Sequence, residues 1–343
     1  MGVNIGSLIE AREMKLRDLS GKAIGFDGHN IMYQFLARIR KKDTGESLVD
    51  SEGRVTSHLS GIFYRTSNLI HIGIKPVFVW DGKPPPFKEL TIRKRRATRE
   101  RAQKQWIEAL KRGEEAMIYA QAATRVTPEL IEEAVKLLDY MGIPSIQAPS
   151  EGEAQLAVMT KRGEIWAGAS QDWDSLLFGT SRLIRNLSIK GQRKLPKKNV
   201  YIEIKPEMIE LDKVLNNLEI TREQLIIIGI LAGTDYNPSI KGIGIKTALR
   251  LVKKHKTLER ILENVKLETF VDIKKIFNFF LEPPANKADT IKWKEPEQDK
   301  IVELLVDTHN FSRMRIEKTV KLLADGFQKH KVKPLEEFFT TSN

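Results

Sequence analysis

Asp27, Asp81, Glu151, Glu153, Asp172, Asp174 and Asp235 are the residues of this sequence best placed to do chemistry together. Asp27 and Asp81 each end a short apolar run, residues 22–26 and 76–80. Glu151 with Glu153, and Asp172 with Asp174, are acids two positions apart, and Asp235 sits in Gly233-Thr234-Asp235-Tyr236. The chain has no cysteine, so any metal must be held by oxygen or imidazole ligands. Carboxylates suit Mg²⁺, which keeps several waters, so some of these acids would act through water. Hydrolysis of a phosphodiester needs a nucleophilic hydroxide and help for an alkoxide leaving group, and two ions about 3.5–4 Å apart supply both.

Each acid also has a plainer reading. Ser150 with Glu153 fits a capping box that serves only a helix terminus. Asp27 and Asp81 could be turn residues or the caps of following helices, and Asp172 and Asp174 could be loop solvation. The coincidence of all seven in a chain of 343 residues with net charge +12 favours a cluster, because the basic surface calls for a polyanionic partner. Nucleic acid is that partner, since no apolar run reaches the roughly eighteen residues of a membrane span. Nor does the N-terminus carry a signal segment, and Gly6 stands where a myristoylation signal wants Ser or Thr. The chain is expected to act inside the cell, without a membrane.

Positioning these acids requires an α/β sheet. Residues 22–26 and 76–80 read as buried parallel strands, with helical spacing at 31–39 and 57–72 between them. In open α/β sheets the site forms at the carboxyl ends of the strands, where both aspartates would lie. Pro84-Pro85-Pro86 stops the pattern, and residues 88–112 form a helix with ten basic residues against Glu89, Glu100 and Glu108. By charge it is a phosphate-binding element, or else a solvated helix. The alternation then resumes with helix 129–141, strand 143–147, helix 151–162 and strand 165–169, and strands near 182–187 and 199–204 complete the sheet. From residue 205 onward mainly helices are expected, broken by a turn at Lys241-Gly242-Ile243-Gly244 and ending in a polar tail after residue 329.

The order and spacing of Phe26-Asp27, Tyr33-Gln34-Phe35-Leu36, Phe63-Tyr64-Arg65-Thr66, Trp80-Asp81-Gly82-Lys83-Pro84-Pro85, Ser150-Glu151-Gly152-Glu153-Ala154, Ser170-Gln171-Asp172-Trp173-Asp174 and Gly233-Thr234-Asp235-Tyr236 resemble the flap endonucleases over nearly the whole chain, most closely the archaeal ones. Gly28-His29 and Trp173 depart from the usual pattern without removing an acid. The resemblance implies a PIN-like 5′ nuclease core with a helical arch and a helix-hairpin-helix module. It implies that the seven acids hold two Mg²⁺ ions, with Mn²⁺ able to substitute, and that Lys88 and Arg95 approach the scissile phosphate. It implies that Tyr33 stacks on a base, that Arg65, Arg96 and Arg99 contact DNA, and that Lys241, Gly242, Gly244 and Lys246 grip duplex phosphates, with K⁺ at the hairpin module. In the tail, Val332, Leu335, Phe338 and Phe339 resemble a peptide for a PCNA-type sliding clamp, with Val332 in place of the usual glutamine.

The expected organisation is a nuclease region at 1–120 including the arch at about 82–120, an intermediate region at 121–235 completing sheet and metal site, a helical region at 236–328, and the clamp tail at 329–343. The implied activity is 5′ flap cleavage, with 5′–3′ exonuclease activity, by a monomer in the archaeal cytoplasm and nucleoid, serving replication and long-patch repair. Its rivals are a Holliday-junction, bubble-cutting or exonucleolytic 5′ nuclease, a catalytically silent clamp-associated DNA-binding protein, and a phosphatase using Asp-x-Asp.

Overall fold

A computed structural model describes residues 3–187, 192–194, 201–264, 272–287 and 291–331. The strands are β1 (Arg12–Glu13), β2 (Ala23–Asp27), β3 (Lys75–Trp80), β4 (Ser145–Gln147), β5 (Ala167–Ala169), β6 (Arg182–Arg185), β7 (Gln192–Lys194), β8 (Tyr201–Glu203) and β9 (Glu207–Glu210). The helices are α1 (Gly28–Arg38), α2 (Ser57–Ile72), α3 (Glu89–Arg112), α4 (Met117–Ala122), α5 (Pro128–Tyr140), α6 (Gly152–Arg162) and α7 (Asp174–Leu177). They continue with α8 (Leu211–Leu218), α9 (Arg222–Ala232), α10 (Ile245–His255), α11 (Leu258–Asn264), α12 (Ile273–Leu281), α13 (Gln298–Val302) and α14 (Arg313–Lys331).

Seven strands form one sheet in the order β1-β9-β6-β5-β2-β3-β4. The five from β6 to β4 are parallel, while β9 is antiparallel to both β6 and β1. Alternate side chains of the two central strands serve opposite faces, as strand geometry requires. Ile24, Phe26, Phe78 and Trp80 enter the core shared with α1, α2, α5 and α14. Val77 and Val79 face Leu156 and Met159 of α6 on the other side. A further core joins α7, α8, α9, α10 and α12 beside the sheet.

Two expectations are corrected here. The strand predicted near 199–204 exists as β8, but it pairs with β7 in a separate two-stranded ribbon and does not complete the sheet. That place is taken by β9, which lies in the stretch expected to be mainly helical, and by the short β1. Met208 and Ile209 are buried, yet the strand is four residues long and runs directly into α8, so its period-2 signal is short. Elsewhere α3 is a continuous 24-residue helix in which only Ala102 and Ala109 are buried, consistent with its shortage of large apolar residues. Among the described residues no helix is long and apolar enough to cross a membrane.

The end of β3 meets the start of α6 at one tight joint. A Cβ on Gly82 would lie 2.2 Å from the carbonyl oxygen of Ala148 and 2.8 Å from the Pro149 carbonyl group, both backbone atoms that cannot swing aside. Gly82→Ala is therefore expected to lower the denaturation midpoint by the equivalent of about 1–3 kcal/mol. Gly244→Ala, at φ −83° with nothing within 4 Å, should change it far less. Equal losses from the two substitutions in urea titration would remove the joint from the account of stability.

Candidate active site

Four neighbouring parallel strands deliver six of the seven acids. Asp27 ends β2, Asp81 follows β3, Glu151 and Glu153 follow β4 at the start of α6, and Asp172 and Asp174 follow β5. The seventh, Asp235, comes just after the C-terminus of α9. All seven line a single cavity of about 620 Å³, together with Tyr33, Lys88, Arg95 and Arg99. The cavity is roofed by α3, whose Thr91, Lys94, Arg95, Thr98 and Arg99 lie on the face turned toward it.

Hydrogen bonds fix the acids individually. Asp27 accepts from the Asn30 amide at 3.0 Å, so it caps α1 as well as lining the cavity. Asp81 accepts from the Gly152 amide at 2.6 Å. Glu153 accepts from the hydroxyls of Ser170 at 2.6 Å and Ser175 at 2.7 Å. The capping-box reading of Ser150 and Glu153 is not adopted, because α6 has Glu151 at its N-cap and no side-chain cap. Asp174 accepts from the Val3 amide at 2.6 Å, and Asn30 donates its side-chain amide to Asp172 at 3.1 Å. His29 takes the Asp81 amide on Nδ1 at 3.1 Å. Sequence reasoning passed over Val3, Asn30, Ser170 and Ser175. The serines flank the paired acids and were legible as partners, whereas nothing in the sequence links Val3 to Asp174.

Burial and mutual repulsion set the electrostatics. Asp27 is pushed well above the usual carboxylate range by burial and then by Asp81, and Glu153 likewise by burial and then by Asp172 and Asp27. Asp174 rises to about 7 through burial and the charge of Asp235. Two cations answer this field from α3 and its N-cap. Lys88 pairs with Glu151, and Arg95 spans both oxygens of Asp235 at 2.7 and 2.6 Å. Burial pulls Lys88 down, but Glu151, Asp81 and Asp235 together carry it above its ordinary value, so it stays charged. Burial raises Glu151 despite Lys88, so Glu151 is the member of that pair for which a proton or a metal ion can compete.

Among the described residues no three acidic or imidazole side chains are drawn together in a ready-made ion site; the acids line a cavity instead. Their chemistry nevertheless fits hard divalent cations, being all oxygen, with Asp27, Glu151, Glu153 and Asp174 raised first by burial and then by neighbouring acids.

The remaining candidates are dispersed. Arg96 is exposed on α3 and pairs with Glu100 at 3.0 Å, away from the cavity. Arg65 is a correction. Its side chain is 9 % exposed and donates to the carbonyl of Leu187, and burial lowers it to about 10. It ties α2 to the end of β6 and presents little surface to a partner. Lys241, Gly242 and Gly244 lie in an exposed turn between α9 and α10, where Gly242 has φ 83°, and Lys246 is exposed in the first turn of α10. Val332, Leu335, Phe338 and Phe339 lie outside the described residues.

The raised acids make stability depend on pH in a defined direction. Between the ordinary carboxylate range near 4 and about 7, the folded chain keeps protons that the unfolded chain has shed, so stability falls as pH rises, by at most about 1.4 kcal/mol per pH unit for each such group. In a chelator, the urea midpoint is expected to fall from pH 5 to pH 8, with part of the slope removed in Asp174→Asn and by excess divalent cation. A midpoint that stays level or rises over that window would contradict the assignment.

Comparison with known proteins agrees with this geometry. Residues 3–102 match the XPG N-terminal domain and residues 142–235 the XPG I-region. Flap endonuclease 1 of Pyrococcus abyssi is 53% identical over 342 residues, covering 99% of this chain and 98% of that protein. Its counterpart in Staphylothermus marinus is 53% identical over 338 residues, covering 96% of each. The solved structure of flap endonuclease-1 from Methanococcus jannaschii superposes with a TM-score of 0.75 at 36% identity, covering 96% of this chain and 99% of that one. The catalytic core of Rad2 in complex with DNA substrate shares the fold, with a TM-score of 0.68 at 22% identity over 93% of this chain and 97% of that one. With sequence identity running through both nuclease regions and all seven acids in one cavity, this chain belongs to the flap endonuclease family.

Proposed function

We propose that this hydrolase cuts branched DNA at the junction of a duplex and a 5′ flap, leaving a 5′ phosphate and a 3′ hydroxyl. The observation that carries the reading is the cavity itself, seven carboxylates beneath a helix that offers Lys88, Lys94, Arg95 and Arg99 to a phosphate backbone. Asp27, Asp81, Glu151, Glu153, Asp172, Asp174 and Asp235 are the residues that would hold two Mg²⁺ ions, some through water. When bound, such ions lower the pKa of water and stabilise the leaving oxygen. Lys88 and Arg95 are then free to exchange their carboxylate partners for the scissile phosphate and to offset the charge that develops on it. Tyr33, 41 % exposed at the cavity mouth, offers a ring to an unpaired base.

Beyond the cavity, the exposed turn with Lys241 and Lys246 would grip duplex phosphates and set the distance to the cut, with K⁺ at that module. Binding of this kind reads shape and charge, so it weakens with salt. The tail with Val332, Leu335, Phe338 and Phe339 would bring the enzyme to a sliding clamp. The setting is primer-flap removal in replication and long-patch repair, in the cytoplasm and nucleoid.

The test is cleavage of an end-labelled 5′-flap duplex with Mg²⁺, beside a blunt duplex. Cutting near the junction should be abolished in Asp174→Ala with flap binding retained, fall about 10²–10³-fold in Lys88→Ala, and decline with added salt. A folded wild-type protein that binds the flap and does not cut it would favour a silent DNA-binding protein. Preference for four-way or bubble DNA over the flap would favour another 5′ nuclease.

A further inference from the structure

The catalytic reading above depends on where Lys88 points, and the chain near Lys88 has little to hold it. Three prolines, Pro84 to Pro86, precede it and donate no backbone hydrogen bond. A single 3₁₀ turn, Pro86–Lys88, connects them to α3, closed by the Lys88 amide on the Pro85 carbonyl at 2.9 Å. What anchors this turn is the side chain between them. Phe87 sets its ring edge-to-face against Tyr236, at a centroid distance of 5.4 Å and 90°, and against Phe279, at 5.2 Å and 76°. Tyr236 and Phe279 also meet each other at 5.3 Å and 79°, so the three rings close a triangle. Phe178 and Phe280 back it, at 5.5 Å from Phe279 and 5.3 Å from Tyr236 respectively.

One member of this cluster, Tyr236, lines the cavity directly. The Tyr236 ring is 5.9 Å from Lys88 Nζ, and Tyr236 follows Asp235, the partner of Arg95. Phe87 and Phe279 do not line the cavity. Phe279 arrives from α12, a helix that sends no side chain into the cavity. Edge-to-face contacts fix both distance and tilt, so they hold the backbone direction at residue 87. That direction decides where the next side chain enters the cavity.

We infer that Phe87 and Phe279 are positioning residues, which act through the Phe87-Tyr236-Phe279 triangle to aim Lys88 at the reacting phosphate. The inference rests on the proposed role of Lys88. It differs from simple core packing, because a ring that only stabilises the fold would lose rate independently of Lys88. A misplacement of about 1 Å can cost on the order of a hundredfold in rate, so a slack anchor has a measurable effect.

The experiment is a double-mutant cycle on the full chain, reading single-turnover cleavage of the 5′-flap duplex at saturating enzyme with Mg²⁺, beside flap affinity and the urea midpoint. Phe87→Ala and Phe279→Ala are each expected to slow cleavage about tenfold or more with affinity changed less than about twofold, and Phe87→Tyr to restore most of the rate. In the Lys88→Ala background the same alanine substitutions should change the rate by less than about twofold. Equal fold losses in both backgrounds, a loss of affinity matching the loss of rate, or no loss at all would overturn the inference. Should Phe87→Ala fail to fold, Phe279→Ala and its cycle with Lys88→Ala decide the matter alone. A Lys88→Ala enzyme that cuts at the wild-type rate would instead defeat the role of Lys88, and that result is visible before either phenylalanine is changed.

Discussion

Like charges gathered in a poorly hydrated space repel, and this molecule is built around that cost. Burial and neighbouring acids push Asp27, Glu153 and Asp174 upward, and each gains a fixed hydrogen-bond donor, from the Asn30 amide, the Ser170 and Ser175 hydroxyls and the Val3 amide. Lys88 and Arg95 neutralise the acids nearest α3. A group of carboxylates kept at this expense is a site prepared for positive charge, whether that charge is a metal ion or a lysine.

The sheet explains how the expense is localised. Parallel strands place all their carboxyl ends on one edge, so a single architectural choice brings acids from residue 27 to residue 174 into one crevice. Only Asp235 needs a separate route, and it arrives on the end of α9, from the same body of helices that carries the exposed glycine turn. Asp235 and the turn proposed to meet the duplex thereby belong to one packed body of helices.

Much of this was legible in the sequence, for physical reasons that differ by element. The apolar run of β2 ends in Asp27, that of β3 from Pro76 to Trp80 is followed by Asp81, and α2 keeps its helical period for sixteen residues, so each announces itself. The long α3 was readable from its charge and its poverty in large apolar residues. β9 was not, because four residues carry too short an alternation, and its pairing partners β6 and β1 are remote in sequence. Arg65 illustrates the converse failure. A guanidinium looks like a phosphate ligand in any basic chain, and only the fold reveals that it is buried against the Leu187 carbonyl. The aromatic triangle was equally silent, since Phe87, Tyr236 and Phe279 have no common motif.

The amide of Val3 on Asp174, 171 residues away, and Arg95 on Asp235, 140 residues away, bear on how the chain is made. Contacts of such sequence separation form late and slowly, because long loops must close before they return any energy. A ribosome releases residue 27 long before residue 235, so the acids of the sheet edge are made well before the last member of their cavity. The seven-acid cavity is therefore complete only once the end of α9 has brought Asp235 to the sheet edge.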